Sequence, residues 1–481
     1  APIVVGMLGF AISAIGSWMP SVWYDEAATI TSATRSWAEL WAEVQQVDAV
    51  HATYYALMHV VFQVFGYSPL TLRLPSAIAV GLAAATIVVL VRCLGHPRIG
   101  VIAGVVFCLV PRVTWMGGEG RSYASSALLA VVLTLVLVRA MRRPGRLWWP
   151  LYGALVAISC FVFAYLALIV VAHACTMLAR YLRSGRTTRV SGRRWLLATV
   201  SAVLVLVPFG LLVHGQSSQL SWIAPIGAQT VHQVVVTQWF AGTGWMSAVE
   251  WLLLICGSIL LVRRWRSSQL AAVILPALIL PTIALALVSV SYLPVYSPRY
   301  LAMCTPFVAI VMAAAIDRLR PRPLIVATIG IIAVLALPHL VLVQRAPEAK
   351  EHSSWSQVAA LISRERAQQD ASATTAIIYD PLRYHPTATT RTIEYAYPDA
   401  FAGTVDVTLR TPAAQIGELW ETRDALDGSL GRLDDATVAY LVTSVKQDTR
   451  PATEATFRAA GWHVADAWSF TDVNVVEYSR D

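Results

Sequence analysis

The chain has 481 residues, of which 57% are hydrophobic and only 13% are charged. Because soluble proteins have about 25% charged residues, this composition excludes a water-facing surface along the whole chain. The formal net charge of +8 is distributed unevenly: residues 345–481 contain 13 Lys+Arg and 20 Asp+Glu, whereas residues 1–344 contain 23 Arg, no Lys and 8 acids. The arginines cluster between apolar runs, which is the positive-inside pattern of a membrane protein, and we expect no nucleic-acid partner.

Apolar stretches of about 20 residues predict about eleven transmembrane helices. The clearest are residues 2–19, 74–91, 99–113, 122–138, 195–213, 247–262, 270–292, 301–316 and 324–343. The run from Leu147 to Leu182 is too long for one span and has arginines on both flanks. We therefore predict that it forms a hairpin that turns near Tyr165.

Every second loop between these spans is basic, which predicts the orientation of the protein. Basic loops lie at Arg92 and Arg98, Arg139 to Arg146, Arg180 to Arg194, Arg263 to Arg266, and Arg318 to Arg322, and they hold 18 of the 23 arginines. By the positive-inside rule these loops are cytoplasmic, so the amino terminus lies inside and the carboxy-terminal region outside. Residues 1–19 lack a basic n-region and a small-residue cleavage site, so we interpret them as a truncated first span and not a signal peptide.

The predicted domains are a membrane domain at 1–344, with a first outer loop at 20–73, and an extracytoplasmic α/β domain at 345–481. Helical spacing of apolar residues predicts an amphipathic interfacial helix from Trp37 to Val47 and a second helix from Thr53 to Phe65. In the carboxy-terminal region we predict helices at 354–369 and 453–460 and strands at 375–380, 437–442 and within 468–478. The pattern at 381–436 is ambiguous.

Most of the charges that do not follow the positive-inside pattern lie on the predicted outer side. Five of the eight acids of the membrane domain lie between the first and second spans. Five arginines also lie outside the basic loops: Arg35, Arg73, Arg112, Arg121 and Arg299. Charged side chains near a bilayer require compensation for lost hydration, so these residues are candidates for function.

Three motifs contain these charges, and each also has a structural interpretation. Asp25-Glu26 follows the first span and could be the acidic first turn of a helix, or a pair in which one acid faces a cavity and the other supports it. Arg121, in Gly117–Tyr123, could form an ion pair with Glu119 or bind an anionic head group. Arg299, in Tyr296–Tyr300, could snorkel within an aromatic belt or bind phosphate. His173 is predicted to be a hydrogen-bonded core histidine.

Together these motifs resemble the GT-C membrane glycosyltransferases, in the branch related to protein mannosyltransferases and lipid A aminoarabinose transferases. The resemblance covers roughly residues 1–320. It rests on Asp25-Glu26, on the loop His51-Ala-Thr-Tyr-Tyr-Ala-Leu-Met-His59 followed by Phe65 to Ser76, on Glu119-Gly-Arg121-Ser-Tyr123, and on Arg299-Tyr300. Two motifs depart from the usual pattern: His51-Ala52-Thr53 replaces His-Pro-Pro, and Glu119-Gly120-Arg121 replaces Glu-Ala-Arg.

The resemblance implies a GT-C fold and an inverting transfer of a sugar from a polyprenyl-phosphate donor. It implies that Asp25 is the general base and that Glu26 and Glu119 orient the reacting groups. Arg299, Arg121, His51 and Arg73 would bind the donor phosphate. The supporting residues are Glu119, Tyr123, Tyr300, Asp48 and His59. A divalent metal (Mg or Mn) near the carboxylates is compatible with the resemblance, and we assign it no ligands.

The expected location is the cytoplasmic membrane of a bacterium. The arginine-rich, lysine-poor composition points to a GC-rich genome, such as that of an actinobacterium. Mannose is the first expectation for the sugar, with arabinose or an amino sugar as alternatives. The expected acceptor is an envelope glycolipid, glycan or protein. A transporter or flippase of lipid-linked sugars is the alternative function. Many transporters contain internal repeats. This sequence shows none, and its acids crowd one interface, which favours the enzyme.

Overall fold

A computed structural model of the protein describes residues 1–142, 145, 147–184, 189–241, 244–265, 267–369, 373–383 and 385–480. Four arginines of the predicted cytoplasmic loops lie outside the described residues: Arg143, Arg146, Arg186 and Arg266. The chain forms two compact units, which are described separately. Unit 1 comprises Ala1–Trp18, Ala49–Tyr54 and Leu70–Gln344, and unit 2 comprises Met19–Asp48, Tyr55–Pro69 and Arg345–Asp481.

The α-helices of residues 1–344 follow one another with short connections. In chain order they are α1 (Pro2–Ala14), α2 (Tyr24–Ala33), α3 (Trp37–Gln46), α4 (Ala52–Phe65), α5 (Pro69–Cys93), α6 (Pro97–Leu109), α7 (Pro111–Gly117), α8 (Tyr123–Arg142), α9 (Trp148–Val162), α10 (Ala167–Ser184), α11 (Arg189–Gly215), α12 (Ala228–His232), α13 (Gly244–Arg263), α14 (Gln269–Ser291), α15 (Thr305–Ile316) and α16 (Pro323–Pro338). The helices predicted at 37–47 and 53–65 are confirmed as α3 and α4.

Within the described ranges, eight helical segments are long and apolar enough to cross a membrane. They contain α5, α8, α10, α11, α13, α14, α15 and α16, and the bent pair α6 and α7 makes a ninth if it counts as one span. The shorter apolar helices α1 and α9 lie at the two remaining predicted positions. The structure therefore confirms a polytopic helical membrane protein, with fewer full-length spans than the eleven predicted segments.

Helix α1 is shorter than the predicted span at 2–19. It ends at Ala14, where Ile15 becomes extended (ψ 124°) and Gly16 adopts a left-handed conformation (φ 70°). A helix of 13 residues is only about 20 Å long at 1.5 Å per residue, which is less than the roughly 30 Å hydrocarbon thickness. A hydrophobic count could not detect this early end, because the residues after it are still apolar.

The segment predicted as one continuous helix at 99–113 is instead divided by the structure into α6 and α7, with a bend of 65°. Pro111 starts α7, and Val110 before it is extended (φ −63°, ψ 127°). A proline disfavours the helical conformation of the preceding residue, so the chain must turn there. The predicted hairpin in 147–182 is confirmed, since α9 and α10 are separated by a 3-10 turn at Ala164–Leu166.

Glycines allow the helices of unit 1 to pack closely. A Cβ atom on Gly257 in α13 would lie 2.0 Å from the carbonyl oxygen of Val311 in α15, and one on Gly81 in α5 would lie 2.7 Å from that of Gly6 in α1. Real Cβ atoms do not approach backbone oxygens so closely. The observed helix packing therefore requires glycine, which has no side chain, at these two positions.

Unit 2 contains a mixed sheet of five strands. The strands of residues 345–481 are β1 (Thr375–Tyr379), β2 (Pro381–Leu382), β3 (His385–Thr389), β4 (Val405–Asp406), β5 (Leu409–Thr411), β6 (Thr422–Arg423), β7 (Val438–Ser444), β8 (His463–Ser469) and β9 (Val473–Ser479). The sheet order is β4-β1-β7-β9-β8. Strand β1 pairs in parallel with β4 and β7, and β9 pairs antiparallel with β7 and β8.

The helices of this region are α17 (Trp355–Gln368), α18 (Thr392–Ala396), α19 (Pro398–Phe401), α20 (Ala413–Ile416) and α21 (Arg450–Ala459). The predicted helices and strands flanking the ambiguous stretch are confirmed, within a few residues, by α17, β1, β7, α21, β8 and β9. The ambiguous stretch forms short helices and two small hairpin sheets, β2-β3 and β5-β6. Strands of two or three residues are too short to show a period in sequence, which explains the ambiguity.

The first-loop segments belong to unit 2, together with the carboxy-terminal region. The hydroxyl of Tyr397 accepts a hydrogen bond from the backbone N–H of Val22 (2.9 Å). The backbone N–H of Ser21 donates to the carbonyl of Pro347 (2.7 Å), and Nη2 of Arg35 donates to the carbonyl of Glu418 (2.6 Å). The residues on both sides of α2 are thus bonded to residues more than 300 positions away in sequence.

The close approach of α13 and α15 can be tested with Gly257→Ala. We expect a loss of about 1–3 kcal/mol in stability, because the methyl group would overlap the Val311 carbonyl unless the helices separate. The matched control is Gly330→Ala in α16, where an added Cβ has no neighbour within 4 Å. This control should be neutral or gain about 0.5–1 kcal/mol from helix propensity. Thermal unfolding of the detergent-solubilised proteins measures both, and equal midpoints for the two variants would contradict the packing.

Candidate active site

Three predicted phosphate-binding residues come together in unit 1. Nη2 of Arg121 donates a hydrogen bond to Nε2 of His51 (2.8 Å). Burial, followed by the positive charges of Arg121 and Arg299, holds the pKa of His51 well below its usual value. Because a guanidinium has no acceptor, Nε2 of His51 must be unprotonated, so the imidazole is neutral. We call Arg121, His51 and Arg299 the cationic cluster.

The backbone around Arg121 is held in place by helix α5. The Ser76 hydroxyl donates to the carbonyls of Glu119 (2.6 Å) and Arg121 (3.3 Å). Gly120 lies directly against Leu72, where a Cβ atom would be 2.7 Å from a Leu72 methyl carbon. The glycine in the Glu-Gly-Arg motif is therefore required by packing. Glu119 is fully buried beside it and Arg121 is 7% exposed.

On the other side of the cluster, Arg299 lies at the start of the span Pro298–Ile316. Its guanidinium carbon is 4.9 Å from the centroid of the Trp222 ring, a cation-π distance. The next residue, Tyr300, stacks on Tyr165 with ring centroids 4.8 Å apart. Tyr123 is buried and lies 6.1 Å from Phe163. The predicted supporting tyrosines thus belong to an aromatic shell within unit 1.

Arg73 and Arg112 both donate hydrogen bonds to backbone carbonyls. Arg73 is fully buried, and its Nη1 donates to the Ser17 carbonyl just after α1 (2.7 Å). Arg112 donates from Nε to the carbonyl of Gln238 (3.0 Å) and from Nη2 to that of Thr237 (2.5 Å).

Asp25 and Glu26 lie in unit 2, in the first turn of α2. Glu26 is fully buried, whereas Asp25 is partly exposed. Adjacent helical residues point about 100° apart, so the two acids have distinct environments. The preceding residue Tyr24 stacks on His385 with centroids 3.5 Å apart, and its hydroxyl accepts a hydrogen bond from Nε1 of Trp420 (2.9 Å). The start of α2 is therefore fixed by side chains of the carboxy-terminal region.

The remaining predicted supporting residues make structural contacts in unit 2. Nδ1 of His59 lies 3.0 Å from the carbonyl of Ala33 and can only donate to it. Asp48 has a left-handed conformation (φ 56°) and accepts a hydrogen bond from the Tyr55 hydroxyl (2.7 Å). Both contacts connect α4 to the elements before it.

Sequence reasoning missed a buried ion pair between α2 and α3. Nη1 of Arg35 lies 2.7 Å from Oε2 of Glu43, with 4% and 0% of the side chains exposed. The Ser32 hydroxyl donates to Oε1 of Glu43 (2.6 Å). Burial raises the pKa of Glu43 to about 7, although the charge of Arg35 acts in the opposite direction. The spacing of Arg35 and Glu43 across a helix boundary gave no recognisable signal.

His173 is confirmed as a hydrogen-bonded core histidine. Its Nδ1 lies 2.9 Å from the Tyr152 hydroxyl and its Nε2 lies 3.1 Å from the Thr134 hydroxyl. These contacts connect α8, α9 and α10 within unit 1. Both ring nitrogens are engaged inside the protein, so this histidine is part of the helix packing.

Among the described residues, no three or more His, Cys, Asp or Glu side chains form a group that could hold a metal ion. An apolar crevice of about 520 Å³ between α9 and α11 also lacks the groups for a transfer reaction. The described residues that line it include Arg194 and no Asp or Glu. The cationic cluster is the stronger candidate for chemistry in unit 1.

No protein-family profile and no curated protein sequence matches the chain, but solved structures do. ArnT from Cupriavidus metallidurans in the apo state has a TM-score of 0.63 at 14% identity, over 99% of this chain and 97% of that chain. ArnT bound to undecaprenyl phosphate has a TM-score of 0.60 at 14% identity over the same shares. An oligosaccharyltransferase from Archaeoglobus fulgidus has a TM-score of 0.52 at 12% identity, over 92% of this chain and 69% of that chain.

These proteins are GT-C membrane glycosyltransferases. The similarity extends over nearly the whole chain, so the fold is the GT-C fold with a carboxy-terminal sheet-containing region. This confirms the expected fold class. At such low identity the similarity concerns the fold, and the activity must be argued from the residues of this chain.

The ion pair of α2 and α3 can be tested with Arg35→Met. Removing one partner of a buried pair costs about 3–5 kcal/mol, so we expect unit 2 to lose about that much stability at pH 8. Without Arg35, the pKa of buried Glu43 rises further above its value in the unfolded chain. The folded state then binds the proton more tightly, so stability falls as pH rises from about 4.5 through the folded pKa and recovers on acidification.

Protease resistance of the purified protein at pH 5.5 and pH 8 measures this effect. Adding Glu43→Gln to Arg35→Met should remove the pH dependence. The control is Arg458→Met, which breaks the exposed pair with Glu454 and should cost less than about 1 kcal/mol. A loss in Arg35→Met that is equal at both pH values would contradict the assigned role of Glu43.

Proposed function

We propose that the protein is a membrane glycosyltransferase that takes its sugar from a polyprenyl-phosphate donor. The observation that carries this proposal is the cationic cluster of Arg121, His51 and Arg299, within a chain of GT-C fold. Related support comes from two neighbours, since ArnT binds undecaprenyl phosphate and the archaeal oligosaccharyltransferase AglB has been seen with dolichol-phosphate. A lipid-linked phosphate is an anionic ligand that the cationic cluster can bind and that these two neighbours of the same fold also bind.

The cluster suits a phosphate because its two guanidiniums repel each other and both attract an anion. Arg121 and Arg299 both lie close enough to His51 to lower its pKa. The neutral imidazole orients Arg121 without neutralising its charge. Arginine also presents a planar fork of donors that matches phosphate oxygens. Fixed cations of this kind stabilise the negative charge that develops on the leaving phosphate.

In the proposed reaction, the oxygen of an acceptor hydroxyl attacks the anomeric carbon of the donor. The bond between that carbon and the phosphate oxygen breaks, with inversion, and polyprenyl phosphate leaves with the electron pair. Asp25 takes the proton of the hydroxyl as general base. Glu26 orients Asp25 from within the helix, and Glu119 positions Arg121. Tyr123 and Tyr300 shape the surroundings of the cluster. No step of this scheme is assigned to a metal.

We further propose that the reaction takes place on the outer face of a bacterial cytoplasmic membrane, with the carboxy-terminal region on that side. The arginine-rich loops support this orientation through the positive-inside rule. The sugar would be mannose or another envelope sugar, and the acceptor an envelope glycolipid, glycan or protein. An actinobacterial source is supported only by the composition of the chain.

The base is tested by Asp25→Asn in an assay that transfers sugar from synthetic polyprenyl-phosphate sugars to membrane extract. We expect at least a hundredfold loss of transfer, because general-base catalysis contributes about 10²–10⁴-fold. Binding of the donor should be unchanged, since the amide has the shape of the carboxylate. Asp435→Asn, at an exposed position of the same unit, is the matched control.

Transfer by Asp25→Asn at the wild-type rate would reject Asp25 as the base. Export of intact lipid-linked sugar by the wild type, without transfer, would support a flippase instead. These two outcomes are distinguished by following the radiolabelled sugar in acceptor and lipid fractions.

The phosphate-binding role is tested by Arg121→Ala and Arg299→Ala. Each variant should weaken binding of sugar-free polyprenyl phosphate about 10- to 100-fold, because hydrogen bonds to charged groups contribute about 1.5–3 kcal/mol. Arg322→Ala, at an exposed position near the start of α16, should bind as the wild type does. Titration of the detergent-solubilised proteins with polyprenyl phosphate measures the affinities. Unchanged affinity in both cluster variants would place the phosphate elsewhere.

A further inference from the structure

A small polar cavity of about 230 Å³ adjoins the cationic cluster within unit 1. Its polar and aromatic lining residues are Trp222, Gln229, Thr230, Gln233, Tyr296 and Ser297. Pockets for drug-sized ligands begin at roughly 300 Å³, so this cavity suits one small ring and not a chain of several sugars.

The cavity lies next to Arg299. One of its lining residues, Trp222, has the Arg299 guanidinium 4.9 Å from its ring centroid. Another, Ser297, is two residues before Arg299 in the chain. A sugar is joined to its phosphate by a single oxygen atom. A sugar ring attached to a phosphate at Arg299 is therefore near enough to enter this cavity.

The walls of the cavity are held by contacts that do not involve a ligand. Gln233 begins a π-helix, Gln233–Thr237, a rare conformation that is frequent at functional sites. The carbonyls of Thr237 and Gln238 at its end accept hydrogen bonds from Arg112. The Tyr296 hydroxyl donates to Oε1 of Gln238 (2.9 Å). Arg112 is thus a positioning residue for this wall.

The lining chemistry matches a neutral sugar. Side-chain amides and hydroxyls both donate and accept hydrogen bonds, as sugar hydroxyls do. The indole of Trp222 offers an apolar face to the C–H groups of a ring. The described residues that line the cavity include no Asp or Glu, and the cation of Arg299 lies against the lining residue Trp222. A protonated amino group on the sugar would therefore find no carboxylate counter-ion in the lining of this cavity.

We infer that this cavity binds the sugar ring of the donor and selects a neutral monosaccharide over an amino sugar. The inference rests on the proposed function, because the donor phosphate must bind at Arg299. It favours mannose or arabinose and disfavours aminoarabinose.

The experiment compares three ligands on the full-length protein: sugar-free polyprenyl phosphate, the same lipid carrying mannose or arabinose, and the same lipid carrying aminoarabinose. Wild type should bind the neutral-sugar lipids more tightly than the sugar-free lipid, and the aminoarabinose lipid no more tightly than the sugar-free lipid. Gln233→Ala and Gln229→Ala should each weaken neutral-sugar binding about 3- to 10-fold and leave sugar-free binding unchanged, because each removes hydrogen bonds of neutral groups. The control is His232→Ala at an exposed neighbouring position.

Gln233→Glu provides a second test that does not depend on loss of binding. The new carboxylate should shift the preference towards aminoarabinose by about tenfold relative to the wild type. Equal weakening of all three ligands in Gln233→Ala, or tightest binding of aminoarabinose by the wild type, would overturn the inference while the proposed function remains. Failure of the wild type to bind sugar-free polyprenyl phosphate would overturn the proposed function and the inference with it. Thermal midpoints close to wild type confirm that the variants fold.

Discussion

The proposed chemistry depends on the hydrogen bond between Arg121 and His51. Because the imidazole accepts this bond, it must be neutral, and it therefore orients a guanidinium without neutralising it. The positive charge of Arg299 also lowers the pKa of His51. Two cations held near one another repel, and a bound phosphate removes that repulsion. A phosphate bound at the cluster is attracted by both guanidiniums, which is the property that a donor site requires.

The backbone around the cluster is prepared before any ligand arrives. Ser76 holds the carbonyls of Glu119 and Arg121, and the packing of Gly120 against Leu72 leaves no room for a side chain. Arg112 likewise donates hydrogen bonds to the carbonyls at the end of the π-helix that forms a wall of the neighbouring cavity. Such preorganisation matters because donors already in place need not reorganise as charge develops during the reaction.

In unit 2, segments of the first outer loop and the distant carboxy-terminal region fold together. Helix α2, which contains Asp25, is fixed at Tyr24 by His385 and Trp420. Behind it, the ion pair of Arg35 and Glu43 joins α2 to α3, and Arg35 also bonds the carbonyl of Glu418. The folding of the carboxy-terminal region therefore positions the proposed base, in addition to any contact with an acceptor.

The sequence by itself determined the membrane class, the positions of the apolar helices, the hairpin of α9 and α10, and the flanking helices and strands of the carboxy-terminal region. These features depend on local composition and on periods of two or 3.6 residues, which are visible in a single chain. Only the tertiary structure decided that Arg121 meets His51, that Arg73 bonds the Ser17 carbonyl, and that Trp222 lies against Arg299. Those partners are 70, 56 and 77 positions apart, and such contacts are set by how helices pack, for which hydrophobic periodicity contains no information.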